Sequence, residues 1–226
     1  MGAPAASVPE AKARLRRRLL AARDDIGEGG RAAQSQSIVA ALLGWAPICD
    51  LPPGSVVAVY VGVGTEPSTH ELLATLVALR LHVLLPIWRR RTAALDWAPY
   101  SGPADLAPTR AGLLEPRGAP LGPEAIGRAG VIVVPALAVD RAGNRLGRGA
   151  GAYDVSLRLA APTARSCALL FTGELLGEIP AEPHDQRVSA VALPKGMVDV
   201  GRFDAPGERQ GGEDPERLDT GGQRDG

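Results

Sequence analysis

Cysteine and histidine are scarce in this chain. Its 226 residues include two cysteines, Cys49 and Cys167, far apart and without C-x-x-C spacing, and three histidines. That excludes a disulfide framework and a structural zinc site. Net charge is missing as well: 25 basic side chains face 25 acidic ones. A protein that coats nucleic acid or an anionic membrane needs a surplus of Lys and Arg, so neither partner is expected and any anion site must be local. A membrane-spanning run is also lacking, because the charge-free stretch from Leu51 to Thr65 is too short and is broken by Pro52, Pro53, Gly54, Gly62 and Gly64. No secretory leader stands at the start, since the basic run Arg14 to Arg18 is followed only by Leu19 to Ala22 before Arg23. A cytoplasmic monomer acting on small molecules is the expectation.

What is present is enough apolar material, 45% of residues, for one sizeable core. The expected layout is a flexible segment over 1–9, a single α/β domain over 10–200 and a disordered tail over 201–226. The tail carries seven acids against four arginines, with little apolar material besides Phe203, Ala205 and Leu218. Within the domain, apolar spacing predicts helices over Lys12–Arg23 and Gln34–Trp45. The run Val56–Val61 suits a buried strand, and Ser68 or Thr69 would cap a helix carrying Leu72, Leu73, Leu76, Val77 and Leu79. Further strands are expected at His82–Pro86, Leu95–Tyr100, Val131–Val134, Ala168–Phe171 and Val188–Leu193, with a helical segment at Val155–Ala160. Alternating strands and helices imply a three-layer α/β/α sandwich with a largely parallel open sheet.

In such a sheet a ligand sits over the carboxyl ends of the strands, in the loops that follow them. Two loops there are unusual. Gly62–Thr69 presents the Glu66 carboxylate just before a helix; it reads either as part of a site or as an ordinary helix start near the positive dipole end. Val134–Asp154 is denser, with glycines at 147, 149 and 151, Arg145 and Arg148, and a helix starting near Tyr153. Successive backbone N–H groups in such a loop cradle phosphate. The loop also fits G-x-G-x-x-[GA] at Gly147, Gly149 and Ala152, but Asp140–Leu146 separates it from its strand, so the dinucleotide reading fails. No G-K-[ST] ending makes it a Walker loop. His184 beside Asp185 reads as a structural hydrogen-bonder rather than a catalytic pair, and Lys12 and Arg16, sharing one helix face, either reach a polyanion or stay solvated.

Taken in order, these stretches resemble the 5-formyltetrahydrofolate cyclo-ligases, also called methenyltetrahydrofolate synthetases, over Lys12 to Pro194. Lys12–Arg16 is similar to K-x-x-[LI]-R, Glu66–Thr69 to E-x-[DN]-T, and Gly112–Pro116 to G-I-x-E-P. Asp140–Asp154 resembles D-x-x-G-x-R-L-G-x-G-x-G-Y-Y-D, and Pro183-His184-Asp185 resembles P-H-D. The resemblance implies an ATP-dependent ligase of folate one-carbon metabolism that turns 5-formyltetrahydrofolate into 5,10-methenyltetrahydrofolate, ADP and phosphate. By motif match, ATP is expected at Lys12, Arg16 and the run Arg145, Leu146, Gly147, Arg148, Gly149, Ala150, Gly151, Ala152 and Tyr153. The folate is expected at Val61, Glu66, Gly149, Gly151 and Tyr153, with Arg145 and Tyr153 as candidate catalytic groups. Asp154 is expected to carry Mg2+, with Ser189 as a weak second contact. Ala152 and Val155 stand where the family usually has Tyr and Arg, Ser189 stands where it often has an acid, and Leu193 where Thr is usual. Arg148 and Arg187 are expected to restore positive charge near ATP. Those departures leave two alternatives, a non-catalytic folate or nucleotide binder on the same scaffold and an unrelated sugar-phosphate or nucleotide enzyme.

Overall fold

The computed structural model describes residues 7–89, 94–109 and 114–201. The chain opens with α1 (Val8–Asp25), started by a reciprocal cap in which Ser7 Oγ accepts from the Glu10 N–H and Glu10 Oε2 accepts from the Ser7 N–H. That cap brings Val8 and Pro9, expected in a flexible segment, into the first helical turn. Helices α2 (Gly27–Leu43) and α3 (Ala46–Cys49) follow, then β1 (Val56–Ala58), α4 (His70–Ala78), β2 (His82–Ile87) and β3 (Asp96–Tyr100). The short strands β4 (Leu106–Pro108) and β5 (Leu114–Pro116) form a hairpin-like pair, and a 3-10 segment spans Pro123–Arg128. The remainder is β6 (Val131–Pro135), β7 (Ala138–Asp140), β8 (Arg145–Leu146), α5 (Ala152–Leu157), β9 (Arg165–Leu169), β10 (Leu175–Leu176), β11 (Ala190–Leu193) and β12 (Gly196–Asp199). Gly112 and Leu113 of the G-I-x-E-P match, and the tail beyond Gly201, lie outside the described residues.

The main sheet has seven strands in the order β12-β11-β9-β6-β1-β2-β3. Its five central strands run parallel, and an antiparallel strand closes each edge. One face is packed by α2, α3 and α4 through Ile38, Leu42, Ile48, Leu72 and Leu76, all nearly inaccessible. The other face is covered by the 3-10 segment and α5, around Trp97, Ile126, Ile132 and Val134. A second, three-stranded sheet, β10-β7-β8, lies off the main one, and α1 packs on it through Leu19 against Leu137, Leu146 and Ile179. The α/β/α sandwich is therefore present, although its second helical layer is thin. The sequence did not predict this small sheet, because strands of two or three residues carry no readable alternation.

Two local expectations change. The regular pairing of β1 ends at Ala58 rather than Val61, although the Val59 N–H still donates to Leu84 O at 2.9 Å. Thr69 flanks α4 but does not cap it with its side chain. Its buried Oγ1 donates to Tyr60 O at 2.8 Å and accepts from the Gly62 N–H at 3.0 Å, tying the loop after β1 into a closed turn. Gly62 is needed there, because a Cβ would collide with the Pro67 carbonyl oxygen.

Candidate active site

A cleft of about 430 Å3 opens at the carboxyl ends of the parallel strands, the position expected of a ligand site in this architecture. Three of the chain segments that line it carry the residues singled out in the sequence. The loop after β1 brings Tyr60, Val61, Val63 and Glu66; the stretch from β8 to α5 brings Arg145 through Asp154; and α1 contributes Pro9, Lys12 and Arg16 from across the small sheet. On α1, positions 12, 16, 19 and 23 fall on one stripe, so the helix buries Leu19 and Arg23 while Lys12 and Arg16 reach the cleft.

Charge in the cleft is largely paired. Lys12 Nζ donates to Glu182 Oε2 at 2.8 Å and to Asp185 Oδ2 at 2.6 Å. Burial disfavours the charged form of Lys12, but those two hydrogen bonds outweigh it and hold the amine above the ordinary lysine value. Burial likewise works against the Asp185 charge, yet Lys12 and the Glu182 N–H hold its carboxyl below the usual range. Arg145 NH2 donates to Asp154 Oδ1 at 2.9 Å, and the Gln186 N–H donates to the same oxygen at 3.1 Å. Arg148, half exposed, donates to Glu66 Oε1 at 2.9 Å across the mouth of the cleft. Among the described residues Arg16 alone of these four cations has no carboxylate partner; its Nε donates to Gly147 O at 2.9 Å. Gly149, at φ +107°, lies against the Arg16 guanidinium, which is 3.4 Å from where a Cβ would stand. The glycine loop is therefore moulded onto α1, and a side chain at that position would push Arg16 away.

Tyr153 packs under Arg145, whose guanidinium lies 5.9 Å from the ring centroid. Burial, with a smaller push from Glu66, raises the Tyr153 hydroxyl well above the ordinary tyrosine value, and burial does the same to Tyr60. Both hydroxyls stay protonated at working pH, so they are donors and not bases. Arg145 is itself 7% exposed, and its Nε is buried without a partner among the described residues, which leaves one N–H in reserve.

The expected residues Lys12, Arg16, Val61, Glu66 and Arg145 through Asp154 all line this one cleft. Ser189 does not. It precedes β11 at the amino ends of the strands, where its Oγ donates to Ser166 O and accepts from the Ser166 N–H. Ser189, expected as a weak metal contact, thus bridges β9 and the start of β11 and is not part of the cleft lining. Arg187 is also off the cleft lining and donates to Asn144 Oδ1. His184 sits on the rim, mostly exposed. Sequence reasoning missed Glu182 and Asp185 as partners of Lys12, because they stand 170 and 173 residues away from it. It also missed Arg23 and Glu174. Arg23 Nε and NH2 bind the two Glu174 carboxylate oxygens at 2.6 and 2.8 Å, and NH2 also donates to Ala136 O.

Residues 8–194 match the 5-formyltetrahydrofolate cyclo-ligase family. The chain belongs to that family. A curated cyclo-ligase from Mycolicibacterium smegmatis is 45% identical over 191 residues, which is 83% of this chain and 95% of the relative. Two solved structures share the cyclo-ligase fold. The 5,10-methenyltetrahydrofolate synthetase of Aquifex aeolicus, an NMR structure, gives a TM-score of 0.71 at 22% identity, covering 90% of this chain and 99% of its own. The enzyme of that name from Mycoplasma pneumoniae gives 0.64 at 16% identity, over 81% and 98% of the two chains. The cyclo-ligase chain described here has no helix, among its described residues, long and apolar enough to cross a membrane.

Proposed function

We propose that this chain catalyses the ATP-dependent closure of 5-formyltetrahydrofolate to 5,10-methenyltetrahydrofolate, as a cytoplasmic monomer. The observation that carries the reading is the convergence, in a chain of this family, of α1, the Glu66 loop and the 145–154 loop on one cleft. The formyl oxygen takes the γ-phosphoryl group of ATP and ADP departs. N10 then adds to the activated formyl carbon, its proton passes to water, and phosphate leaves with the former formyl oxygen. Dividing the reaction this way replaces a poor leaving group with a good one, and the protein mainly holds the partners and compensates charge.

Arg16, the cation without a carboxylate partner, would anchor the triphosphate with the N–H groups of Gly147–Gly151. Arg148, the half-exposed member of its pair with the largely covered Glu66, would join it by leaving that carboxylate. Glu66, so released, and the protonated Tyr153 would face the folate beside Val61. Lys12 would lend field rather than a free charge, because Glu182 and Asp185 already compensate it. Mg2+ neutralises phosphate oxygens when bound and keeps most of its waters, so one or two carboxylates suffice to hold it. Asp154 fits that role, since it lines the cleft and both hydrogen bonds that its carboxylate accepts among the described residues fall on Oδ1.

The test is the near-ultraviolet band of the methenyl product, followed with ATP and Mg2+ omitted in turn. Growth only in the complete mixture is expected; a flat trace from folded protein overturns the reaction. Glu66→Gln should raise KM for the folate while KM for ATP changes little, and the reverse pattern would move Glu66 to the nucleotide.

A further inference from the structure

The cleft has two unlike walls. One is the polar wall of α1 and the 145–154 loop. The other is apolar, formed by Pro86, Trp88, Leu95 and Leu114 from the ends of β2, β3 and β5. Trp88 stands out among the three tryptophans. Trp45 is 8% exposed with the Arg165 guanidinium over its ring, Trp97 is fully buried, and Trp88 is 43% exposed. A flat ring of that size, left open inside a cleft, forgoes the burial that large aromatics ordinarily gain on folding.

Its placement is not accidental to the backbone. Where β2 ends, the Trp88 N–H donates to Glu115 Oε1 at 2.8 Å, a charge-assisted bond from a carboxylate that itself lines the cleft. Glu115 belongs to the stretch Leu114-Glu115-Pro116, the one sequence match that the proposed reaction leaves without a task. β1 and β2 pair in parallel with Val56 opposite His82 and Ala58 opposite Leu84. The two strands therefore leave the sheet at the same carboxyl edge, and Trp88 after β2 lines the same cleft as Val61 and Glu66 after β1.

Resting on the reading above, we propose that Trp88 is the stacking surface for the flat ring system of the folate and sets specificity for it, with Glu115 as the positioning residue that fixes the Trp88 backbone. A π-face beside a polar wall selects a substrate that couples a planar heteroaromatic ring to a phosphorylated centre, and base-on-aromatic stacking contributes enough for a loss of about tenfold or more on truncation.

The experiment measures folate binding without ATP by tryptophan emission and by calorimetry, and separately KM for each substrate during turnover. Trp88→Ala should weaken binding of 5-formyltetrahydrofolate about tenfold and raise its KM similarly, with KM for ATP within twofold; Trp88→Phe should fall between. Folate should quench wild-type emission and leave that of Trp88→Phe nearly unchanged, because the other two tryptophans are buried elsewhere. Glu115→Ala should reproduce part of the loss, and Glu115→Gln, which keeps an oxygen acceptor, should recover it. Unchanged folate affinity in Trp88→Ala, or a rise confined to KM for ATP, overturns the proposal. A wild-type protein that binds folate through Trp88 yet forms no methenyl band would sink the reaction and leave the stacking surface standing.

Discussion

The two ends of helix α1 hold their cations differently. At the carboxyl end Arg23 is 1% exposed, forked onto both oxygens of Glu174, bonded to Ala136 O and laid 5.3 Å from the Phe171 ring centroid. Glu174 also accepts the Phe171 N–H; burial pushes its carboxyl up, with Arg23 opposing. At the amino end Lys12 is held by two carboxylates that line the open cleft, and Arg16 by a single backbone oxygen. The first arrangement fixes where the helix lies, since a buried charge cannot leave its partner without a large desolvation loss. The second keeps Lys12 compensated and leaves Arg16 on a backbone oxygen that an incoming anion can replace. One helix therefore combines a rigid anchor with an adaptable binding end.

That contrast can be broken at either end. The largest effect is expected at the anchor. Glu174→Ala strands Arg23 in the interior and should cost about 3–5 kcal/mol in urea unfolding, whereas Arg23→Met with Glu174→Leu should recover most of it. A fully stable Glu174→Ala would show that the pair does not hold α1. Next comes Asp185→Asn, at about 2 kcal/mol for a lost hydrogen bond to a charged group. The folded-state value of Asp185 is lowered, so its contribution is complete above the ordinary carboxylate range and fades as pH falls through that lowered value, below about pH 4. The value of Lys12 is raised, so its contribution is complete below about pH 10 and fades as pH climbs through the raised value. Wild type and Asp185→Asn should thus differ most between those limits and converge outside them; a gap that widened in acid would contradict the pairing.

At the binding end, Arg16→Ala should raise KM for ATP about tenfold, near 1.4 kcal/mol, with a nearly unchanged thermal midpoint. A large drop in midpoint would class Arg16 with the anchor instead. Smallest is Ser189→Ala, expected to cost under about 1 kcal/mol in stability and to leave the Mg2+ concentration for half-maximal rate where it was. A shifted metal requirement would return Ser189 to the site.

The parallel core strands could be read from the chain because β-branched runs such as Val56–Val57 and Val131–Val134 have few other uses. The glycine loop was legible because φ values like that of Gly149 leave a compositional trace. Pairings such as Lys12 with Asp185 or Arg23 with Glu174 left none, since a charge in sequence does not name its partner. Ser189 was named by motif match, as standing where the family often has a second acid, and a motif does not show that its hydroxyl pairs with Ser166 between two strands.

The contacts that seat α1 join residues far apart along the chain, over 151 residues for Arg23 and up to 173 for Lys12. During synthesis at about 5–20 residues per second, α1 therefore waits roughly 8–35 s for its partners to be made. Its capped, arginine-rich helix can form early, but its seat is incomplete until Glu174, Glu182 and Asp185 have been made. The side of the cleft that α1 supplies is accordingly fixed only after residue 185 has been added.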